Sequence, residues 1–253
     1  MNKSVLLYLC AIAAAVLPHV EAQSPLNGNA SRAVGTPFLA PKSVNPNVAE
    51  GREFLSPLSV AIDTTSTPPA VYVADTSNSR VMCWKNASMF SNGQPADIII
   101  GQLDKYSTSG LGPGTSRSTG LNRPVAVAVD SKGNLFVADA GNNRILRYPK
   151  PTANSDDIKT PDMVIGQTAF NTNAPNAGGI SEKTIAIAFN DVLSRTALVF
   201  DKDGNLWFSD TLNNRVLRYP VAALNSGANG PAADVVLGQF SFTVNTADRK
   251  SVV

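Results

Sequence analysis

Three times along this chain an aspartate is followed by an asparagine three residues later and an arginine five residues later. The sets are Asp75, Asn78 and Arg80; Asp139, Asn142 and Arg144; and Asp210, Asn213 and Arg215. A carboxylate, an amide and a guanidinium this close in sequence can do two kinds of work. Lining a shared channel, they would contact a polar ligand or a cation. Turned inward, the Asp and Asn side chains would hold a chain reversal by bonding backbone amides, with Arg pairing within or between repeats. Repetition favours the second reading, because a catalytic site is rarely built three times over.

Elements of one kind must carry these sets, since their surroundings repeat too. The aspartates are spaced by 64 and then 71 residues, and each arginine opens a short apolar stretch. A second signature, Ile99-Ile100-Gly101-Gln102, recurs as Val164-Ile165-Gly166-Gln167 and Val236-Leu237-Gly238-Gln239, its glycines 26 to 28 residues after their aspartates. Internal repetition at near-constant spacing indicates a repeat architecture. The second repeat reads as four strands: Val125–Val129, Leu135–Asp139, Arg144–Tyr148 and Met163–Ile165, with turns at Lys132-Gly133-Asn134 and Gly141-Asn142-Asn143. The third follows the same plan around Lys202-Asp203-Gly204-Asn205, and the first carries a longer turn, Thr64 to Pro69. In the third repeat both 184–189 and 196–201 compete for the first strand, and 196–201 aligns better.

Both faces of the second repeat's first strand are apolar, valines on one and alanines on the other. A sandwich sheet usually shows one polar face, whereas a propeller blade is covered on both sides by its neighbours. The fold class expected is therefore all-β. Residues 102–120 and 167–183 are polar and read as long surface loops between blades, the kind of segment that often carries function.

These residues resemble the NHL repeat family, whose hallmark is an apolar strand, a Gly-Asn turn, a Val-Ala-Asp segment and then Asn-x-Arg-Ile/Val. Pro124 to Ile145 and Asp201 to Val216 carry it most fully, and the likeness runs from Leu55 to Gln239. The resemblance implies an NHL-type β-propeller with three four-stranded blades, about 55–102, 121–167 and 193–239, within residues 55–253. Such proteins usually close six-bladed rings, so three blades are an incomplete ring with two open faces. Either the chain is the front half of a longer protein, or a homodimer completes the ring. The first is favoured, because no closing strand is evident after Phe242.

The N-terminus reads as a signal peptide spanning residues 1–22, followed by an extension at 23–54. Lys3 supplies the charge, Val5 to Leu17 is apolar, Pro18 ends the run, and Val20-Glu21-Ala22 suits cleavage after Ala22. That run of 13 residues falls short of the roughly 18 a membrane span needs, so a secreted or periplasmic protein is expected. Cleavage would remove Cys10 and His19, the one histidine. Cys83 then has no partner within the chain and reads as a buried, inert thiol.

This inventory narrows the chemistry. Without histidine there is no Ser-His-Asp triad and no His-ligated zinc. The resemblance extends to peptide-amidating lyases, which depend on a His-bound metal, and to gluconolactonase-like propellers, which use Glu, Asn and Asp oxygens. Only Glu50, Glu53 and Glu182 would remain here, none at a channel-lining repeat position. No cofactor is expected. A Ca²⁺ site on Asp and Asn stays open, with Asp157, Asp162 and Asp203 read as solvated turn residues. The 21 basic residues nearly balance the 19 acidic ones and are scattered, which argues against nucleic acid. The expected role is an exported binding module for a protein, peptide or glycan. The alternative is a metal-dependent lyase or lactonase-like enzyme completed by a missing C-terminal half.

Overall fold

The computed structural model describes residues 49–89, 93–111, 120–187 and 196–247. All lie in one unit, Val48–Val253. The expected signal peptide falls outside the described residues, as does most of the 23–54 extension.

The described chain is nearly all-β. Its strands are β1 (Pro57–Asp63), β2 (Ala70–Asp75), β3 (Arg80–Trp84) and β4 (Ile98–Ile100); β5 (Pro124–Val129), β6 (Leu135–Asp139), β7 (Arg144–Tyr148) and β8 (Met163–Ile165); and β9 (Leu198–Phe200), β10 (Leu206–Asp210), β11 (Arg215–Tyr219) and β12 (Val235–Leu237). One helix, α1 (Val221–Asn225), lies between β11 and β12. Each group of four forms its own antiparallel sheet in sequence order. These are three blades of a propeller, without a closed ring among the described residues. All four strands expected in the second repeat are present, with β5 starting one residue earlier at Pro124.

Local chemistry explains the turns. At the β5–β6 hairpin the Asp130 carboxylate accepts N–H bonds from Lys132 at 2.9 Å and Asn134 at 2.8 Å. Asp201 does the same for Asp203 and Asn205 before β10. In blade 1 the longer turn is held by Asp63, which accepts the Thr65 N–H at 2.8 Å and the Ser66 hydroxyl at 2.5 Å. At the opposite end of each sheet the middle strands are joined by a single 3-10 turn: Thr76–Asn78, Ala140–Asn142 and Thr211–Asn213. Each turn ends on a left-handed residue, Ser79, Asn143 or Asn214.

Apolar side chains stack the blades. Tyr72, Val81, Cys83 and Ile100 of blade 1 meet Val127, Val137, Leu146 and Val164 of blade 2. The other face of blade 2, with Phe136, Ile145 and Ile165, meets Leu206, Phe208, Leu217 and Tyr219 of blade 3. Phe136 also sits edge-on to Phe200, with ring centroids 5.1 Å apart. Blade 2 is thus buried on both sides, which is why its strands read as continuous apolar runs. Burial drives this stacking at about 25 cal/mol per Å² of apolar surface. Cys83 lies wholly inside the blade 1–blade 2 core, and burial pushes its thiol up to about 12.

Because each sheet is a meander, strand ends alternate between two sides of the array. The β1–β2, β5–β6 and β9–β10 hairpins lie on one side. The 3-10 turns and all inter-blade loops lie on the other.

Candidate functional site

The Asp-Asn-Arg sets converge in the same way in every blade. In blade 2, Asp139 Oδ2 accepts from Asn142 Nδ2 at 2.7 Å and from Arg144 Nε at 2.8 Å. Its other oxygen, Oδ1, accepts the Asn122 N–H at 2.6 Å, from the segment that leads into β5. In blade 1, Asp75 holds Asn78, Arg80 Nε and the Leu55 N–H. In blade 3, Asp210 holds Asn213, Arg215 Nε and the Ala186 N–H. All three ion pairs are fully buried at 2.7–2.8 Å. Burial pushes each carboxyl up from its ordinary value, against the pull of the amide donors and the guanidinium.

The rest of each guanidinium binds backbone carbonyls of flanking segments. Arg144 Nη2 donates to Gly120 O at 2.8 Å, two residues before the Asn122 that Asp139 holds. Its Nη1 donates to Phe170 O at 2.7 Å, three residues after Gln167. Arg80 repeats this with Glu53 O and Lys105 O, and Arg215 with Thr184 O and Phe242 O. One buried side chain therefore ties the segment before a blade, the turn within it and the loop after it. With both carboxylate oxygens and all three guanidinium nitrogens engaged, each set is a structural clamp and offers no open coordination position.

The glutamines of the Gly-Gln signature were noticed in the sequence, yet nothing there assigned them a role. Gln167 Nε2 donates to Asn143 O at 2.8 Å and to Ala174 O at 2.9 Å. Gln102 bridges Ser79 O and Ser109 O, and Gln239 bridges Asn214 O and Thr246 O. The second acceptor is seven residues past the glutamine each time. A fixed offset from a recurring amide was the readable signal. Each inter-blade loop is thus gripped at its start by arginine and glutamine together. Replacing Gln167 by Leu removes two bonds worth about 1 kcal/mol each. The expected result is a stability loss of about 1–2 kcal/mol by urea titration, with faster amide exchange concentrated in residues 168–174.

The ambiguous segment of the third repeat turns out to divide the work. Ala186 and Ile187 donate the N–H groups to Asp210 and Asn143, as Asn122 and Arg123 do to Asp139 and Ser79. Leu198–Phe200 supplies the ladder with β10.

Asp157, Asp162 and Asp203 stay at the surface. Asp162 is more than a solvated turn residue: its carboxylate takes two bonds from Arg147, at 2.7 and 2.9 Å. Asp203 pairs with Lys202 at 2.7 Å, and Asp157 is exposed. Among the described residues no group of three or more His, Cys, Asp or Glu side chains gathers to hold a metal ion. A cleft of about 350 Å³ runs beside the edge strand β4, where Lys85, Lys105 and Lys159 face Asp97, Asp104, Asp156 and Asp157. No helix among the described residues is long and apolar enough to cross a membrane.

The NHL repeat family model matches residues 121–148, which contain β5, β6, the Asp139 clamp and β7. No curated protein matches the chain. Among solved structures, a protein from Lactobacillus plantarum is 14% identical, with 74% of this chain and 43% of that one covered and a TM-score of 0.40. A gluconolactonase from Xanthomonas campestris is also 14% identical, with coverage of 77% and 47% and a TM-score of 0.34. Virginiamycin B lyase from Staphylococcus aureus is 13% identical, with coverage of 66% and 53% and a TM-score of 0.32. The chain spans about half the length of these structures.

Proposed function

We propose that this NHL-repeat chain is an exported propeller module that binds a protein, peptide or glycan through its inter-blade loops. The observation that carries the reading is the clamping of those loops. They emerge on one side of the blades, and arginine and glutamine hold each stem at two carbonyls. Fixing a binding loop beforehand lowers the ordering cost that association must otherwise meet.

The held loops also present apolar and aromatic groups to solvent. Leu103, Tyr106 and Phe240 are all exposed, within four residues of a Gly-Gln glutamine. Lys105 Nζ stands 5.1 Å from the centre of the Tyr106 ring. Rigid aromatics beside adaptable Ser, Thr and Asn residues are the composition of many binding loops. The buried clamps take no part in contact; they set where the loops sit. Export rests on the N-terminal charge, apolar run and small-residue pattern.

Arrays of glycans and of peptides, probed with the purified chain, test the reading. The chain is expected to retain at least one ligand class. The combined Leu103→Ser, Tyr106→Ser and Phe240→Ser variant should lose that binding while melting as the unaltered protein does. Binding that survives the triple substitution, or no retention on either array, counts against the proposal.

A further inference from the structure

Blade 2 shows what a covered face looks like, and among the described residues the two ends of the array lack that cover. Val60 pairs across to Val73 as Val127 pairs to Val137, yet Val60 is 62% exposed and Val127 only 4%. At the other end Leu237 pairs to Val216 as Ile165 pairs to Ile145, and it is 50% exposed against 0%. Blade 1 leaves Leu58, Val60 and Ile62 in solvent, and blade 3 leaves Val199 and Leu237. Arg218, on the open face of blade 3, pairs with Asp234 at 2.9 Å.

Two specific contacts recur at the interior blade junctions besides apolar stacking. An apolar side chain of the incoming segment lies over the glycine that ends the previous blade. Leu121 covers Gly101, and Ile185 covers Gly166. The left-handed turn residue then accepts an N–H from the incoming segment: Arg123 N to Ser79 Oγ at 3.2 Å, and Ile187 N to Asn143 Oδ1 at 3.0 Å.

The ends of the array hold the matching halves of both contacts. At blade 3, Gly238 is exposed, and a Cβ built on it would meet only the backbone of Asn214 and Arg215. Asn214 is exposed, and its Nδ2 donates to Asn245 O at 3.0 Å, just as Asn143 Nδ2 donates to Asn173 O at 3.1 Å. The amide is therefore already turned as at the interior junction. At blade 1, Phe54 holds the place of Leu121 and Ile185, immediately before the residue whose N–H the clamp aspartate takes. Ser56 holds the place of Arg123, with the same φ of 53° and a proline after it.

We infer, in place of the front-half reading that the sequence favours, that the two ends fit each other across two copies of this chain. Blade 3 of one copy seats blade 1 of the second, with Phe54 over Gly238 and the Ser56 N–H on Asn214 Oδ1. The same contact made in reverse closes the pair into a ring of six blades. A head-to-tail contact closes into a ring only when its rotation allows, and otherwise runs on as a filament. The pair is the closed form, which removes the open faces.

Light scattering on the full chain, beside its Val60→Glu and Ile62→Glu variants, tests this. Both side chains are exposed in the single chain, so neither substitution disturbs its core. The unaltered protein is expected at two chain masses, and each variant at one, with its β-type circular dichroism retained. A single-chain mass for the unaltered protein, an open-ended ladder of masses, or a two-chain mass that survives both substitutions overturns the proposal.

Discussion

An Asp139→Ala variant is expected to unfold at a markedly lower urea concentration, with stability reduced by about 3–5 kcal/mol. The substitution leaves the Arg144 guanidinium buried without its counter-charge and strips partners from Asn142 Nδ2 and the Asn122 N–H. Breaking one side of a buried pair costs far more than the pair itself contributes, because the remaining charge has lost its solvent and its partner. Typical domains hold only about 5–15 kcal/mol in total, so a large share would go. Asparagine is no remedy at this site, since it lacks the charge and in either orientation its NH2 would face a donor, the Asn122 N–H or the Asn142 and Arg144 pair. The control is Asp162→Ala, which breaks the surface pair with Arg147. That change should stay within about 1 kcal/mol. Equal midpoint shifts for the two variants, at unchanged denaturant slope, would show that the clamp is not what holds the turn.

Gly166→Ala is expected to cost about 2–5 kcal/mol, by adding two penalties of different origin. The backbone there has φ of +85°, where a side chain costs about 1–2 kcal/mol. The added Cβ would also stand 2.3 Å from Ile185 Cγ1 and 2.5 Å from Cδ1. Overpacking of a core usually costs a further 1–3 kcal/mol or so. Gly178 separates the terms, because it has φ of +83° and nothing within 4 Å of a built Cβ. Gly178→Ala should therefore show the backbone penalty alone. Pairing Gly166→Ala with Ile185→Ala should cost less than the sum of the two single changes, since the clash is shared. Strict additivity in that cycle would mean the two residues do not meet.

How much of this was legible beforehand varies with the range of the interaction. Strands of blade 2 were readable because valine and alanine alternate from Val125 to Val129 and turn residues bracket them. The turn function of Asp139 and Asn142 followed from side chains that act within a few residues. Three aspartate-arginine pairs at one spacing also made a structural reading of Asp75, Asp139 and Asp210 more economical than a catalytic one. The partners of Arg144 were not readable, because Gly120 and Phe170 contribute carbonyls, which every residue possesses. The role of Gln167 was hidden for the same reason, although its recurrence was plain. Ile187 looked like part of a strand because its apolar neighbours suit one, yet it lies in no sheet: its side chain joins the core and its N–H goes to the previous blade. Pattern reveals side-chain burial well and backbone acceptors hardly at all.

The clamps also sort the chain into positions that must keep their length and stretches that need not. Between Ser109, where the grip of Gln102 ends, and Gly120, where that of Arg144 begins, neither the glutamine nor the arginine holds a described residue, and Asn142 Nδ2 donates to Leu111 O at 3.1 Å. Between Ala174 and Thr184 the third clamp reaches Asn176, which exchanges amide bonds with Asn213 at 2.8 and 2.9 Å, and Ser181, whose carbonyl accepts from Arg215. The third repeat's extra residues fall in the sequence between Ile187 and Leu198, mostly outside the described residues. Foreign peptides grafted between Leu111 and Gly120, or between Asn176 and Ser181, would leave the gripping bonds in place, and closure entropy rises only slowly with loop length. Diversification of the exposed tips is thereby uncoupled from upkeep of the blades, as in scaffolds used for display.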